Sequence, residues 1–473
     1  MMMNKPQPKR GKRVICDTNG IEHELVERLG EGGQGVVFRT RDPGVLLKLS
    51  KVGLADARVQ SWFRHVSWVA RQPLAGLHVA VPVALVDNRH NPGYVMELMD
   101  GMEPLGRMLD EAAQALQEGG GLDSYRASGG VARRMRLLAK LARILAELHG
   151  RGLAYGDLSP ANVFVSRSVE HDEVWLIDSD NISVTSRAGG RMIWTRQFGA
   201  PEILRGLSGI NSLTDSWSFG VLAFQLLTLA HPFKGDLVEE GDAELEEQAL
   251  RGDLPWIDDP SDHANACSSG LPRPELLSLR LRNLFEQCFG EGLEDPGARP
   301  SMAEWAEGFE AGVALLAECD PEDGCGSSFI YNPRACCPFC DTTIPAAQHL
   351  RLRHAVFAPL SALGEGASEK DQWLPTADLL LLQSGGEVVL RSSPVGSSTY
   401  AASGAWCRLN LDADGLRLTP LSNLGLHVAR TSGGPLKSVA SPFLFKREWQ
   451  QGGTASIHLG DPSSTHSAWR FIW

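Results

Sequence analysis

Asp157, Asn162 and Asp178 are the residues whose types and spacing could do chemistry. Asp157 and Asn162 lie in Tyr155-Gly156-Asp157-Leu158-Ser159-Pro160-Ala161-Asn162, and Asp178 closes the apolar run Val174-Trp175-Leu176-Ile177. A carboxylate at 157 can orient or deprotonate an attacking hydroxyl. The hard oxygens of Asn162 and Asp178 suit Mg²⁺ and, through it, phosphates. Asp and Asn are also common turn residues, so the surrounding elements decide between the two readings.

Those elements place the three residues on loops beside short buried strands. A helical run ends at Leu148-His149-Gly150, and Val163-Phe164-Val165 reads as a strand just after Asn162. Upstream, Gly30-Glu31-Gly32-Gly33-Gln34-Gly35-Val36-Val37-Phe38 places Gly30, Gly32 and Gly35 between two apolar stretches. Glycines there let backbone amides approach phosphate oxygens. A dinucleotide-binding fold needs a helix directly after the glycines, whereas Val36-Val37-Phe38 reads as a strand. The next strand, Val45 to Leu49, carries Lys48 among apolar neighbours. Leu54 to Arg71 is helical by pattern, and its one acid, Asp56, sits near its start; no Glu occurs between Lys48 and Glu97. Lys48 is therefore held by Asp56 or in another way. Val79 to Val86 and Gly93 to Met99 read as paired strands, Leu105 to Gln117 and Val131 to His149 as helices, and the Gly/Ser-rich Glu118 to Gly130 as a loop.

Further on come Thr195-Arg196-Gln197-Phe198-Gly199-Ala200-Pro201-Glu202, then Asp215 opening an apolar helix, then Asp295-Pro296-Gly297-Ala298-Arg299. In this order the motifs resemble a bacterial eukaryotic-like (Hanks-type) Ser/Thr protein kinase, roughly from Glu22 to Leu316. The resemblance implies a bilobal α+β kinase fold. It implies that Gly30, Gly32, Gly35, Val37, Met96, Glu97 and Leu98 frame the nucleotide, with Met96 the gatekeeper before the hinge. Lys48 would anchor ATP, Asp157 would be the catalytic aspartate, Asn162 and Asp178 would hold Mg²⁺, and Thr195 would steady Asp157. Glu202, Asp215 and Arg299 match the peptide-binding platform that related small-molecule kinases usually lack. Their presence implies a protein substrate with Ser or Thr acceptors, and autophosphorylation.

Four positions depart from the family pattern. The helix glutamate is missing. Gly156 stands where many kinases have Arg, so no arginine beside Asp157 can clamp a phosphorylated activation loop. Ser159 replaces a lysine that touches the γ-phosphate, which removes a positive charge from the developing transition state. Asp180 replaces the glycine after the metal aspartate. The D-L-S-P-x-N form is similar to bacterial kinases of tellurium-resistance-linked modules, which implies a phosphatase and a von Willebrand-A-type protein as partners and a role in stress response. The departures keep a second reading open, a pseudokinase that binds nucleotide as a scaffold.

Nine cysteines occur, five of them between Cys319 and Cys340. Without an export signal such clustering favours a metal over disulfides. Cys-Pro-x-Cys at Cys337 and Cys340 suits a structural zinc. Cys325 and His354 complete the expected ligand set, with His349, Cys336 and Cys319 as alternates. The spacing differs from that of a DNA-reading finger. Beyond it, short runs such as Glu387 to Leu390, Trp406 to Leu409, Leu416 to Leu418, Leu426 to Val428, Phe443 to Phe445, Ser456 to Leu459 and Trp469 to Trp473 predict an all-β sandwich or barrel. Leu421-Ser422-Asn423-Leu424-Gly425-Leu426 and His458-Leu459-Gly460-Asp461 faintly resemble a forkhead-associated domain, although the Ser and His used around phosphothreonine are not recognisable.

The 473 residues thus divide into a flexible basic tail (1–20), a kinase domain (21–318, lobes meeting at 98–99), a zinc-knuckle linker (319–356) and a β-rich regulatory or docking domain (357–473). The net charge of −12 owes most to Asp236–Asp262, where eleven acids face Arg251 alone. That imbalance argues against nucleic acid as the main partner. No run of 18 apolar residues and no signal-peptide core is present, so the expectation is a cytoplasmic protein that uses ATP and Mg²⁺ and does not bind membranes.

Overall fold

The computed structural model describes residues 13–31, 35–185, 194–320, 322–331, 336–344, 349–392, 404–422 and 425–473. The chain forms two compact units, one running to Arg273 and including Leu279–Phe309, the other comprising Pro274–Ser278 and Glu310–Trp473.

The first unit opens with a six-stranded antiparallel sheet. Its order is Val14–Cys16, Glu22–Glu31, Val36–Thr40, Val45–Leu49, Gly93–Glu97 and Ala84–Val86. Val14–Cys16 lies within the segment expected to be a tail; its partner Glu22–Glu24 gives its backbone a ladder. Strand alternation sorts the side chains by face. Leu47, Leu49, Val86 and Val95 form a core on one side. On the other, Val37 lies opposite Lys48 and Lys48 opposite Tyr94, and this face packs Tyr94 and Met96 against Val66 and Trp62 of the helix Ala57–Val69. The lysine is thereby aimed under the helix.

Only Ala84–Val86 of the expected strand at 79–86 joins this sheet. Pro82 has no N–H to give a ladder. The preceding residues turn to Val174–Leu176 instead: Ala80 N donates to Leu176 O at 2.8 Å and Leu176 N to His78 O at 2.9 Å. The strand that delivers Asp178 is therefore tied directly to the segment leaving the helix.

The rest of this unit is mainly helical. Leu105–Gln117, Gly130–Gly150 and Ser212–Thr228 form where the apolar periodicity predicts. Ser212–Thr228 is buried almost throughout and begins with a capping box between Asn211 and Thr214. The expected loop at 118–130 contains a short helix, Asp123–Ala127. Burial of Tyr125 fixes it: the phenol donates to Leu227 O at 2.9 Å, and the Arg134 guanidinium lies 3.7 Å above the ring.

In the second unit, Leu316–Glu318 pairs with Ser328–Ile330, with Cys319 and Cys325 in the connection between them and Cys337 and Cys340 beyond. Two antiparallel sheets follow. One has the order Trp373–Gln383, His349–Phe357, His466–Ile472, Thr454–Leu459, Leu426–Ala429, Lys437–Ser438. The other is Glu387–Ser392, Gly404–Leu411, Gly415–Pro420, Phe443–Lys446. Leu352, Leu382, Ile457 and Phe471 from the first share a core with Leu409, Leu418 and Phe445 from the second, which makes the unit a β-sandwich. Of the forkhead-like stretch, Asn423 and Leu424 lie outside the described residues.

Candidate active site

Asp215 organises the loop that carries Asp157. It lies in the first turn of Ser212–Thr228 and is 1% exposed. Its carboxylate accepts the backbone N–H of Tyr155 at 2.7 Å and of Gly156 at 2.8 Å, and meets His149 Nε2 at 2.9 Å. A buried carboxylate needs such donors, and in satisfying it the loop takes one shape. That shape requires glycine at 156. Its φ is +94°, and a Cβ there would stand 2.6 Å from Ile210 Cδ1.

Thr195 Oγ1 donates to Asp157 Oδ1 at 2.9 Å. Asn162 Nδ2 donates to the Asp157 carbonyl at 2.8 Å and to Oδ2 at 3.2 Å. Burial raises the Asp157 pKa above the usual carboxylate value, and the charge on Asp178 adds to this; the Thr195 and Asn162 bonds oppose it without cancelling it. Asn162 is also tied to the Asp178 strand, since its carbonyl accepts Ile177 N at 3.0 Å. Asp178 has a left-handed backbone, φ 51°, and the following Ser179 donates to Ala80 O at 2.6 Å. Ser159 is buried, 1% exposed.

Lys48 settles the question of the missing helix acid. Asp56 caps its helix by accepting Arg58 N at 2.8 Å and pairs with the Arg58 side chain. The Lys48 ammonium donates instead to Asp180 Oδ1 at 3.0 Å, Asp180 Oδ2 at 3.2 Å and Asp178 Oδ1 at 3.1 Å. Burial pulls the lysine pKa down, but the two carboxylates outweigh it and the net shift is upward, so it stays charged. Asp180 is sealed at 0% exposure, with Trp62 Nε1 donating at 2.7 Å and the Tyr94 hydroxyl at 3.2 Å. Burial, reinforced by Asp180 and Asp178, pushes the Tyr94 phenol well above its usual value. In the sequence Asp180 stands out only as the residue in place of a glycine, and nothing local marks Trp62 or Tyr94. The signal available was an Asp-Ser-Asp run in a chain whose helix carries no acid.

Gly30 lies one residue before the end of the strand Glu22–Glu31, Gly35 directly precedes Val36–Thr40, and Gly32 lies outside the described residues. A Cβ on Gly35 would meet Leu49 O at 2.5 Å. Val37 and Met96 are on the Lys48 face, Glu97 ends its strand exposed, and the Leu98 amide is taken by Gly44 O at 2.9 Å. Lower down, Arg299 makes a two-pronged pair with Glu202 at 2.7 and 2.8 Å and lies 4.8 Å from the Trp217 ring centroid.

The cysteine cluster differs from the expected ligand set by taking the alternate Cys319 in place of His354. One ligand atom each from Cys319, Cys325, Cys337 and Cys340 lies within 4.8 Å of the others. The Cys319–Cys340 and Cys325–Cys337 sulfurs are 3.6 and 3.7 Å apart. A tetrahedral ion with Zn–S bonds of about 2.3 Å requires sulfurs about 3.8 Å apart, so the donors fit zinc. His354 lies outside the cluster. It sits in the strand His349–Phe357 between Thr376 Oγ1 at 2.8 Å and Ser467 Oγ at 2.6 Å. The alternates His349, which stacks on Tyr331, and Cys336, which bridges to Thr343, are also outside it.

A lysine held by two carboxylates, beside an aspartate bonded by a threonine, is the arrangement expected of the protein-kinase class. The chain belongs to the protein kinase domain family, whose pattern it matches over residues 23–307. It is 27% identical over 234 residues to a probable serine/threonine-protein kinase of Streptomyces coelicolor, 46% of this chain and 32% of that protein. It is 28% identical over 240 residues to a serine/threonine-protein kinase of Myxococcus xanthus, 47% and 40% of the two chains. It is 26% identical over 223 residues to a DNA damage-responsive serine/threonine-protein kinase of Deinococcus radiodurans, 45% and 31%. The matched part spans about a third of the length of these curated relatives. No helix among the described residues is long and apolar enough to cross a membrane.

Proposed function

We propose that the chain is a Ser/Thr protein kinase that transfers the γ-phosphoryl group of ATP to a protein hydroxyl. The observation that carries this is the 2.9 Å bond from Thr195 to Asp157, with Asn162 on the other carboxylate oxygen. Together they leave Asp157 aimed and able to accept a proton from an acceptor Ser or Thr. Lys48 would steady the phosphates, and Asp178 with Asn162 would hold Mg²⁺, which when bound neutralises charge on the transferring group. The Glu202–Arg299 pair supports a protein substrate, because it fixes the platform after the activation segment. The printed names of the relatives point the same way. We propose a structural zinc on the four cysteines and a docking or regulatory role for the β-sandwich. A phosphatase and a von Willebrand-A-type protein as partners rest on resemblance alone.

Incubating the full chain with MgATP and a generic protein, followed by phosphoamino-acid analysis, tests the reading. Phosphoserine or phosphothreonine is the expected product. Tight nucleotide binding without any transfer would favour the scaffold reading, which the loss of a lysine at Ser159 supports.

A further inference from the structure

We infer that Asp180 is the positioning residue for Lys48, in place of an acid on the helix Ala57–Val69. The inference rests on the kinase reading of the site. That helix carries no carboxylate, and its residue at this point is Trp62, whose indole N–H reaches Asp180 Oδ2 at 2.7 Å. Asp180 Oδ1 takes Lys48 at 3.0 Å and the Tyr94 hydroxyl at 3.2 Å. An ammonium, an indole and a phenol thus surround a carboxylate with no exposure. Without such partners a buried charge is strongly unfavourable; with them it is rigid.

The placement has a mechanical consequence. Asp180 lies in the single turn Ser179–Asn181 that starts at Asp178. The lysine anchor and the metal aspartate therefore move as one piece. The helix joins this piece through the neutral indole N–H rather than through a charge of its own. Were Asp178 engaged by a metal, Asp180 would still be placed to hold the ammonium. Displacing the helix would remove the indole bond and the packing of Trp62 and Val66 on Tyr94 and Met96 but no charge from the Lys48–Asp180 pair, so the helix does not act as an acid-carrying switch for this lysine.

The test uses the full chain carrying Asp180→Asn, Asp180→Gly, and Asp180→Gly with Trp62→Glu. Readouts are the dissociation constant of a fluorescent ATP analogue, KM and kcat for MgATP, and the melting temperature. Asp180→Asn is expected to lower kcat/KM about 100-fold, because misplacement of a positioning group costs about that much. The double variant, which returns an acid to the helix, is expected to recover at least about tenfold over Asp180→Gly. Folded Asp180→Asn with kcat/KM and nucleotide affinity unchanged would overturn the inference, as would a folded double variant no better than Asp180→Gly. If the wild type transfers no phosphate, the kinase reading fails and nucleotide affinity alone decides about Asp180: weakening supports its role and constancy overturns it. If Asp180→Asn does not fold, Trp62→Phe decides. A folded Trp62→Phe with reduced kcat/KM or nucleotide affinity supports the inference, and unchanged values for both overturn it.

Discussion

Thr195 donates to Asp157 at 2.9 Å across 38 residues of sequence, so the segment that carries Thr195 helps to aim the carboxylate proposed to receive the acceptor proton. Replacing Thr195 with Val should lower kcat by about tenfold or more, since a loose catalytic group loses orientation. It should also move the pH profile. In the proposed role Asp157 acts ionised, and burial already raises its pKa, an effect the Thr195 bond opposes. Rate therefore falls as pH drops through that raised pKa. Removing the bond should shift the acid limb of kcat/KM to higher pH. A Val variant with an unshifted limb would show that the hydroxyl does not act on Asp157.

The Glu202–Arg299 pair is a structural bet of a different kind. Arg299 is fully enclosed and Glu202 nearly so. Arg299→Met leaves a carboxylate without its partner and should destabilise the unit by about 3–5 kcal/mol. The check is the urea midpoint of the variant against wild type. Loss of less than about 1 kcal/mol would place the pair with ordinary exposed ion pairs.

Gly156 should resist substitution. With φ at +94° and Ile210 Cδ1 2.6 Å from any Cβ, Gly156→Ala should cost about 1–3 kcal/mol from backbone strain alone. Thermal melts measure it. Arg, the residue many kinases have here, should be worse than Ala, so this loop cannot regain a phosphate clamp by one substitution.

Zinc content separates the expected ligand set from the four-cysteine set. His354→Ala should leave one zinc per chain, because its ring is engaged by Thr376 and Ser467. Cys319→Ser should lose the metal, because its sulfur is 3.6 Å from that of Cys340. Elemental analysis of both purified variants decides; zinc lost with His354 and kept without Cys319 would reverse the assignment.

What the sequence revealed and concealed follows the range of the contacts. Asp157, Asn162 and Asp178 were legible because loop chemistry and flanking apolar runs are local. The helices Leu105–Gln117 and Gly130–Gly150 and most sandwich strands were legible from periodicity. The partner of Lys48 was not, since residues 48, 62, 94 and 180 meet only when strand, helix and turn pack together. The make-up of the cysteine cluster was hidden for a related reason. His354 is close to Cys340 in sequence, yet the strand His349–Phe357 carries it away, whereas pairing of Leu316–Glu318 with Ser328–Ile330 returns Cys319 to the cluster. Tyr125 hid a helix in a Gly/Ser-rich stretch because its burial depends on Leu227, a hundred residues on.

The most direct test of the central claim is transfer of labelled phosphate from ATP by the intact chain, with and without Asp157→Ala. Wild type should label itself or a generic protein on Ser or Thr in a Mg²⁺-dependent manner. Asp157→Ala should retain its melting temperature and lose the signal by about 100-fold or more. Equal labelling by a folded Asp157→Ala protein, or no labelling by folded wild type, would contradict the account.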